Sequence, residues 1–500
     1  MSDPTEEQKS SVDVPAAAPS SKTKPRKTLG LTGITINAMA LMAPGAFMWL
    51  LYSSQAAVSV TGAADIWPGV LLALVIALLT AGSLGELARR YPKAGMRSAY
   101  HFAESAFREN SGARHSPWYR PAKFLTGWAA HLYYWTFPGI MVAFTGVLAD
   151  YLLVQYGYHP TVFGKLILTI SFSALVGFLA LRGITGSTTS SVVLNILQLS
   201  ALIFFSVLAF LFRGLNPMGI SGGEWLNPTV MDVVIPKSFE NVIFQAAIAM
   251  FLMVGFEAST ALGGAAENAS RDIPRAAVLA LVVQGAFAYL LEYFAAGLAM
   301  NAPVAVIGSR LPIGDLALQM GNALLYGNGS TILLIIAFTI FIALLASALT
   351  ALNNGVRISF SMSLDREMPS VLSFLHPHYS TPYVTVILLG SVSAVIGSIG
   401  VLGGLPVLLG IILASNLGAF ILYALLALLT IPAYHGKAEY NFLKHSFIPV
   451  VGLIANLGIA IAFPLIGFLQ GGIAAQASFF ALLVALIWIL VSSLNFFSRK

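Results

Sequence analysis

The chain has 500 residues, 57% of them hydrophobic and only 9% charged, with a mean hydropathy of +0.83. Soluble domains carry about 25% charged residues, so this composition excludes one and specifies a polytopic helical membrane protein. The net charge of +6 does not point to nucleic acid, because the basic residues flank apolar runs; with 0 Cys, disulfides, thiol nucleophiles and Cys-based metal sites are excluded.

Residues 1–27 are polar and rich in Ser, Pro and Ala, and read as a disordered tail. The tail ends in a basic collar, Lys22, Lys24, Arg26 and Lys27. The apolar run from Leu29 to Leu51 is too long for a signal-peptide core and reads as a retained first span. At its middle lies Leu41-Met42-Ala43-Pro44-Gly45-Ala46-Phe47. Pro44 donates no N–H and clashes with the preceding turn. In hydrocarbon, freed backbone groups persist only where protein or a water-filled cavity satisfies them. The break is therefore either a packed kink or a segment facing something polar.

Apolar runs predict twelve spans, at 30–54, 67–87, 124–155, 162–181, 190–212, 241–264, 276–300, 331–360, 383–402, 404–430, 448–468 and 473–496. A Gly-rich turn joins the ninth to the tenth. With both termini placed in the cytoplasm, every Lys and Arg except Lys165, Arg213, Lys237 and Arg310 falls inside, as the positive-inside rule demands. The first span then starts inside and the sixth outside, so spans 1–5 and 6–10 can form repeats of opposite topology. That relation predicts a second break in the sixth span, at Met253-Val254-Gly255-Phe256-Glu257-Ala258-Ser259. Interrupted helices at matching positions are the best sequence pointer to a transport site.

A carboxylate inside a span is expensive and by default functional, which singles out Glu257 as a proton carrier and, behind it, Glu292. The bland alternative is a Glu hydrogen-bonded to neighbouring helices. Asp150 reads as interfacial, and His131 as a histidine bonded between helices. Trp128, Tyr133, Tyr134, Phe251 and Phe256 are candidates to gate a cavity, against the commoner role of core packing. The sequence holds no H-E-x-x-H, G-x-S-x-G or P-loop motif, which argues against an enzyme. His376-Pro377-His378 has no third ligand near it, so no metal is expected there. The loops at 85–95, 267–276 and 354–369 mix both signs of charge with Pro and Gly, and read as charge-paired turns or as latches that break as two repeats rock.

Five stretches together resemble the amino acid–polyamine–organocation superfamily of permeases. They are Ala43-Pro44-Gly45-Ala46-Phe47; Glu86 through Gly95 with Tyr100; Arg182-Gly183; Gly255-Phe256-Glu257 through Glu267-Asn268 and Pro274; and Arg357 through Asp365-Arg366 and Pro369, then His376-Pro377 and Thr381-Pro382. The resemblance implies an all-α membrane protein with a five-plus-five inverted repeat of the leucine-transporter type and two peripheral helices. On this reading 28–430 is the transport core and 431–500 holds helices 11 and 12. It also implies a cell-membrane permease for amino acids or related amines that works by alternating access, with the lipid bilayer as its surroundings.

The resemblance further implies where a substrate lies. Its carboxylate would meet backbone N–H groups near Gly45 and Ala46, at a positive helix end. Its ammonium would face carbonyls near Leu41 and Met42 and near Phe251 and Val254, with Phe251 closing over it. Two departures stand out. Pro44 sits where relatives often supply a donor, and Gln198 falls where some proton-coupled members carry a lysine. Coupling is then expected through Glu257 with H+, through Na+ near Ser347 or Thr350, or by exchange without an ion. Two rivals remain: an amino-acid-binding membrane sensor, and a six-plus-six facilitator, which predicts no paired breaks. The sequence specifies no oligomeric state.

Overall fold

The computed structural model describes residues 29–43, 46–58, 65–110, 119–183, 188–301 and 311–497. The expected tail, and the Pro44-Gly45 pair, lie outside the described residues. Secondary structure among the described residues is helical, with isolated bridges and no strand.

The first span is two helices, α1 (Leu31–Met42) and α2 (Ala46–Ala57), bent by 40° at the break. Then come α3 (Ile66–Arg90), the short α4 (Pro92–Arg97) and α5 (Tyr100–Asn110), and the long α6 (Tyr119–Gln155). The fourth and fifth spans are α7 (Val162–Leu181) and α8 (Thr188–Leu215). The sixth is α9 (Phe239–Met253) followed by a 3-10 segment, Phe256–Gly264. The seventh runs from α10 (Ala269–Leu281) through a π-helical stretch, Val282–Leu290, into α11 (Leu291–Ala299). After α12 (Pro312–Leu324) come α13 (Gly329–Leu364), α14 (Tyr383–Leu402), α15 (Gly404–Tyr434), α16 (Ile448–Gln470) and α17 (Gly472–Phe497). Among the described residues eleven helices are long and apolar enough to cross a membrane, and the bent pair brings the total to 12, as expected. The turn between the ninth and tenth spans rests on Gly404, whose φ of 72° suits a residue without Cβ.

Burial sorts the spans. The sixth is 89% buried over its apolar window and the fourth only 22%, so the former sits at the centre and the latter faces lipid. Around the centre, α6 packs on α13, α14 and α15, while α3 packs on α9 and α10. Close approach depends on small residues: a Cβ on Gly69 would fall 2.5 Å from Gln245 Cβ, and one on Gly85 2.9 Å from Pro274 Cβ. The last two spans, α16 and α17, pack on α15 at the side of the bundle. The fold is therefore a five-plus-five core with broken first and sixth spans and two added helices.

One end of the bundle is basic and carries a web of ion pairs. Lys123 Nζ lies 2.6 Å from Asp365 Oδ2 and 3.3 Å from Glu104 Oε2. Arg120 pairs with Glu367 at 3.6 Å and Arg90 with Glu439 at 3.5 Å. Loops of mixed charge in the sequence thus become ties between elements. At the opposite end Asp150 pairs with Lys165 at 2.9 Å, the interfacial place expected for it.

Candidate functional site

The two breaks meet. In the first span Ala43 takes a left-handed conformation (φ 45°), its N–H still bonded to Met39 O at 3.1 Å, and the chain resumes as helix at Ala46. In the sixth, Val254 is extended and Gly255 has φ 125°. A Cβ on Gly255 would fall 2.9 Å from Met42 Cγ and 3.2 Å from Met42 N, so the two interrupted backbones touch where a side chain would separate them. Below the breaks Leu29 N donates to Ala265 O, and Glu267 N to Leu29 O, both at 3.0 Å. The six-plus-six arrangement predicted unbroken first and sixth spans and does not describe this chain.

Carbonyls freed by the first break find hydroxyls. Ser347 Oγ of α13 donates to Leu41 O at 2.5 Å, and Tyr289 Oη of the seventh span to Met42 O at 3.0 Å and Ala43 O at 3.2 Å. This is the satisfaction a gap in a buried helix requires. Thr350 Oγ1, the alternative sodium ligand to Ser347, donates to Ala346 O within its own helix at 2.8 Å.

The second break is organised by Glu257. Its Oε1 accepts from Tyr133 Oη at 3.0 Å and Tyr134 Oη at 2.9 Å. Its Oε2 accepts from Tyr423 Oη at 3.0 Å and from Gly255 N at 2.9 Å. Two tyrosines of α6 and one of α15 therefore converge on one carboxylate and fill its acceptor positions, while the Gly255 contact closes the break on itself. Nearby, Asn416 of α15 donates to Ala247 O at 2.7 Å.

Leu41, Met42, Ala43, Phe251, Val254 and Phe256 are fully buried, and Ala46 and Gly255 are buried as well. Phe251 stacks on Phe137 at 4.8 Å between ring centres and lies 5.2 Å from Phe47 and 5.8 Å from Phe144. The breaks are thus enclosed beneath an aromatic cluster.

Other nominated residues scatter. His131 lies among Trp128, Trp135 and Trp488, its Nε2 3.1 Å from Ser359 Oγ, away from the breaks. His376 Nδ1 accepts from the backbone of His378 and Tyr379 in an exposed loop. Gln198 of α8 is buried beside Glu292, a neighbour that chain order does not suggest. At the basic end, donor atoms of His101, Glu104 and Asp365 lie within 4.8 Å of one another, in the spacing of a metal set. The Lys123 ammonium lies against two of the three, Glu104 and Asp365, and His101 Nδ1 lies 3.1 Å from Ser98 Oγ. Burial, and next the charge of Arg97, push the His101 imidazole down to about 4.

Twelve spans, with interruptions facing each other in the first and sixth, define a multi-pass membrane transporter fold. The chain belongs to the amino acid permease family, whose sequence profile matches residues 27–491; this is a family of transporters and not of enzymes. It is 24% identical over 444 residues to the low-affinity putrescine importer PlaP of Escherichia coli (strain K12), covering 87% of this chain and 88% of that one. It is 25% identical over 457 residues to the branched-chain amino acid permease BcaP of Bacillus subtilis (strain 168), covering 88% of each. The crystal structure of MhsT in complex with L-phenylalanine superposes with a TM-score of 0.57 at 17% identity, over 87% of this chain and 99% of that one. That likeness concerns the fold, which is of the leucine-transporter type.

Proposed function

We propose that this protein is a secondary active transporter in the cell membrane, with both termini in the cytoplasm, that moves amino acids or related amines by alternating access. The observation that carries the reading is the approach of Gly255 to Met42, which brings two interrupted helices together at one enclosed point. An amino acid suits such a point because it offers one charge of each sign. Ala46 N donates to Ala43 O at 3.2 Å, so a carboxylate would meet the N–H groups that follow it in the first turn of the restarted helix, and the carbonyls of Leu41, Met42, Phe251 and Val254 suit an ammonium. The aromatic cluster around Phe251 would cover the substrate. The names of the relatives, one a branched-chain amino acid permease and one a putrescine importer, agree with this class.

The test is uptake into proteoliposomes of a labelled panel of amino acids and putrescine, with pH and sodium gradients imposed separately. Uptake of one panel member, competed by its unlabelled form, is expected. Gly45→Leu, a side chain set at the approach to the backbone, is expected to remove substrate binding. Undiminished affinity in that variant, or binding without uptake in the wild type, would refute the reading; the latter is the behaviour of a sensor.

A further inference from the structure

Above the first break, α2, α8, α11 and α13 line a small, partly open chamber of about 20 Å³. Its wall is mostly aliphatic, but Glu292 and Gln198 line it, with Trp49 and Ala46 beside them. Glu292 is 1% exposed and Gln198 3%. The Trp49 indole is the one donor directed at the Glu292 carboxyl, and both the amide nitrogen and oxygen of Gln198 lack a hydrogen-bond partner among the described residues. A buried amide without partners beside a carboxyl with a single donor is a costly arrangement, of a kind that native structures explain by a bound species. The cavity is large enough for one water, which needs two to four polar partners.

The chemistry of the wall selects the species. None of its lining residues is cationic, so a bare carboxylate here would be an unpaired charge inside the membrane. A metal or sodium ion would want several oxygens, and the wall offers little beyond one carboxyl and one amide. Thr339 Oγ1 donates to Ile336 O at 2.7 Å and adds one acceptor oxygen to the wall, while the Trp49 indole is a donor only. A proton needs just one oxygen, and a water can then join the carboxyl to the amide.

We propose that this chamber is a proton site: Glu292 takes up and releases the proton that accompanies transport, and Gln198 positions it through one water. This rests on the transport reading above. The step is simple: carboxylate plus a proton from one bulk side gives the carboxylic acid, and the proton leaves to the other side when the bundle reopens. The chamber's contact with Ala46, where the first span restarts, puts the proton next to the proposed substrate carboxylate. Other titratable groups around Glu292 are Tyr52 of α2 and Tyr289 and Tyr293 of its own span. Tyr293 donates to Gln55 Oε1 and Tyr289 to the Met42 and Ala43 carbonyls. From α8 and α13 come Gln198 and Thr339, which do not titrate.

Two measurements on the full-length protein test this. In proteoliposomes, a pH gradient is expected to stimulate wild-type uptake of the panel member it carries. Glu292→Gln is expected to lose that stimulation entirely while keeping counterflow exchange. Infrared difference spectra across a pH titration, which require no transport, are expected to show a carboxylic-acid carbonyl band that Glu292→Gln removes. Gln198→Leu, which leaves the titrating group in place, is expected to shift the midpoint of that band and of the pH stimulation. Retained pH stimulation in Glu292→Gln, stimulation by sodium alone, or an unchanged infrared band would overturn the proposal and leave the transport reading standing. Absence of any uptake or counterflow in the wild type would refute the transport reading, with the infrared band still deciding whether Glu292 titrates.

Discussion

Two buried glutamates, 35 positions apart in sequence (292 − 257), live under opposite conditions. Glu257 accepts four hydrogen bonds, from Tyr133, Tyr134, Tyr423 and Gly255; Glu292 has only the Trp49 indole as a donor and borders a cavity. Both are in spans and both are nearly inaccessible, so composition and burial rank them alike. What separates them is the count of donors. A carboxylate whose lone pairs are all engaged holds elements together. A carboxyl with a single donor ties few elements together.

The comparison is sharpened by removing each acid in turn. The largest effect is expected for Glu257→Ala, which strands three tyrosine hydroxyls and the Gly255 N–H: a loss of about 3–5 kcal/mol, read as a lowered thermal midpoint in detergent, with transport abolished. A variant that melts like the wild type would break the contrast. Gly255→Ala comes next. It forces a Cβ against Met42 at a φ that L-residues avoid, at a cost of about 1–3 kcal/mol and with loss of uptake. Glu292→Leu is expected to carry the opposite sign, neutral or stabilising by about 1 kcal/mol, because it replaces a buried polar group that has a single donor with an apolar one. A destabilisation as large as that of Glu257→Ala would show that Glu292 too is a strut.

Ser347→Ala removes one donor to the Leu41 carbonyl and is expected to cost about 1 kcal/mol, seen as faster hydrogen exchange at the first break. The smallest effect concerns His101, outside the membrane-spanning segments. Its folded-state value near 4 lies below the ordinary 6.5, so the neutral form belongs to the folded state. Its contribution to stability is complete above pH 6.5 and is lost as the pH falls towards 4. His101→Asn is expected to flatten the melting temperature across that window.

The span count was legible because hydropathy, length and the distribution of Lys and Arg constrain one another. Leu402 and Gly404, for example, bound the ninth and tenth helices where the Gly-rich turn placed them. The second break was legible too, since an inverted repeat demands a counterpart to Pro44 and Gly255 stood at the matching place. Tyr289 and Tyr423 were not. A tyrosine in an apolar span looks like any other core aromatic, and only the fold reveals which hydroxyl reaches a freed carbonyl or a carboxylate. Nor could chain order reveal that Gln198 and Glu292, 94 positions apart (292 − 198), share one cavity, because periodicity says which face a residue occupies but not what stands opposite.

The segment Phe256–Gly264 winds as nine residues of 3-10 helix between a loosened glycine and the first contacts with Leu29. A 3-10 turn rises about 2.0 Å per residue and an α turn about 1.5 Å, so rewinding this stretch would shorten it by about 4–5 Å. The sixth span is thus about 4–5 Å longer over these nine residues than an unbroken α-helix would be.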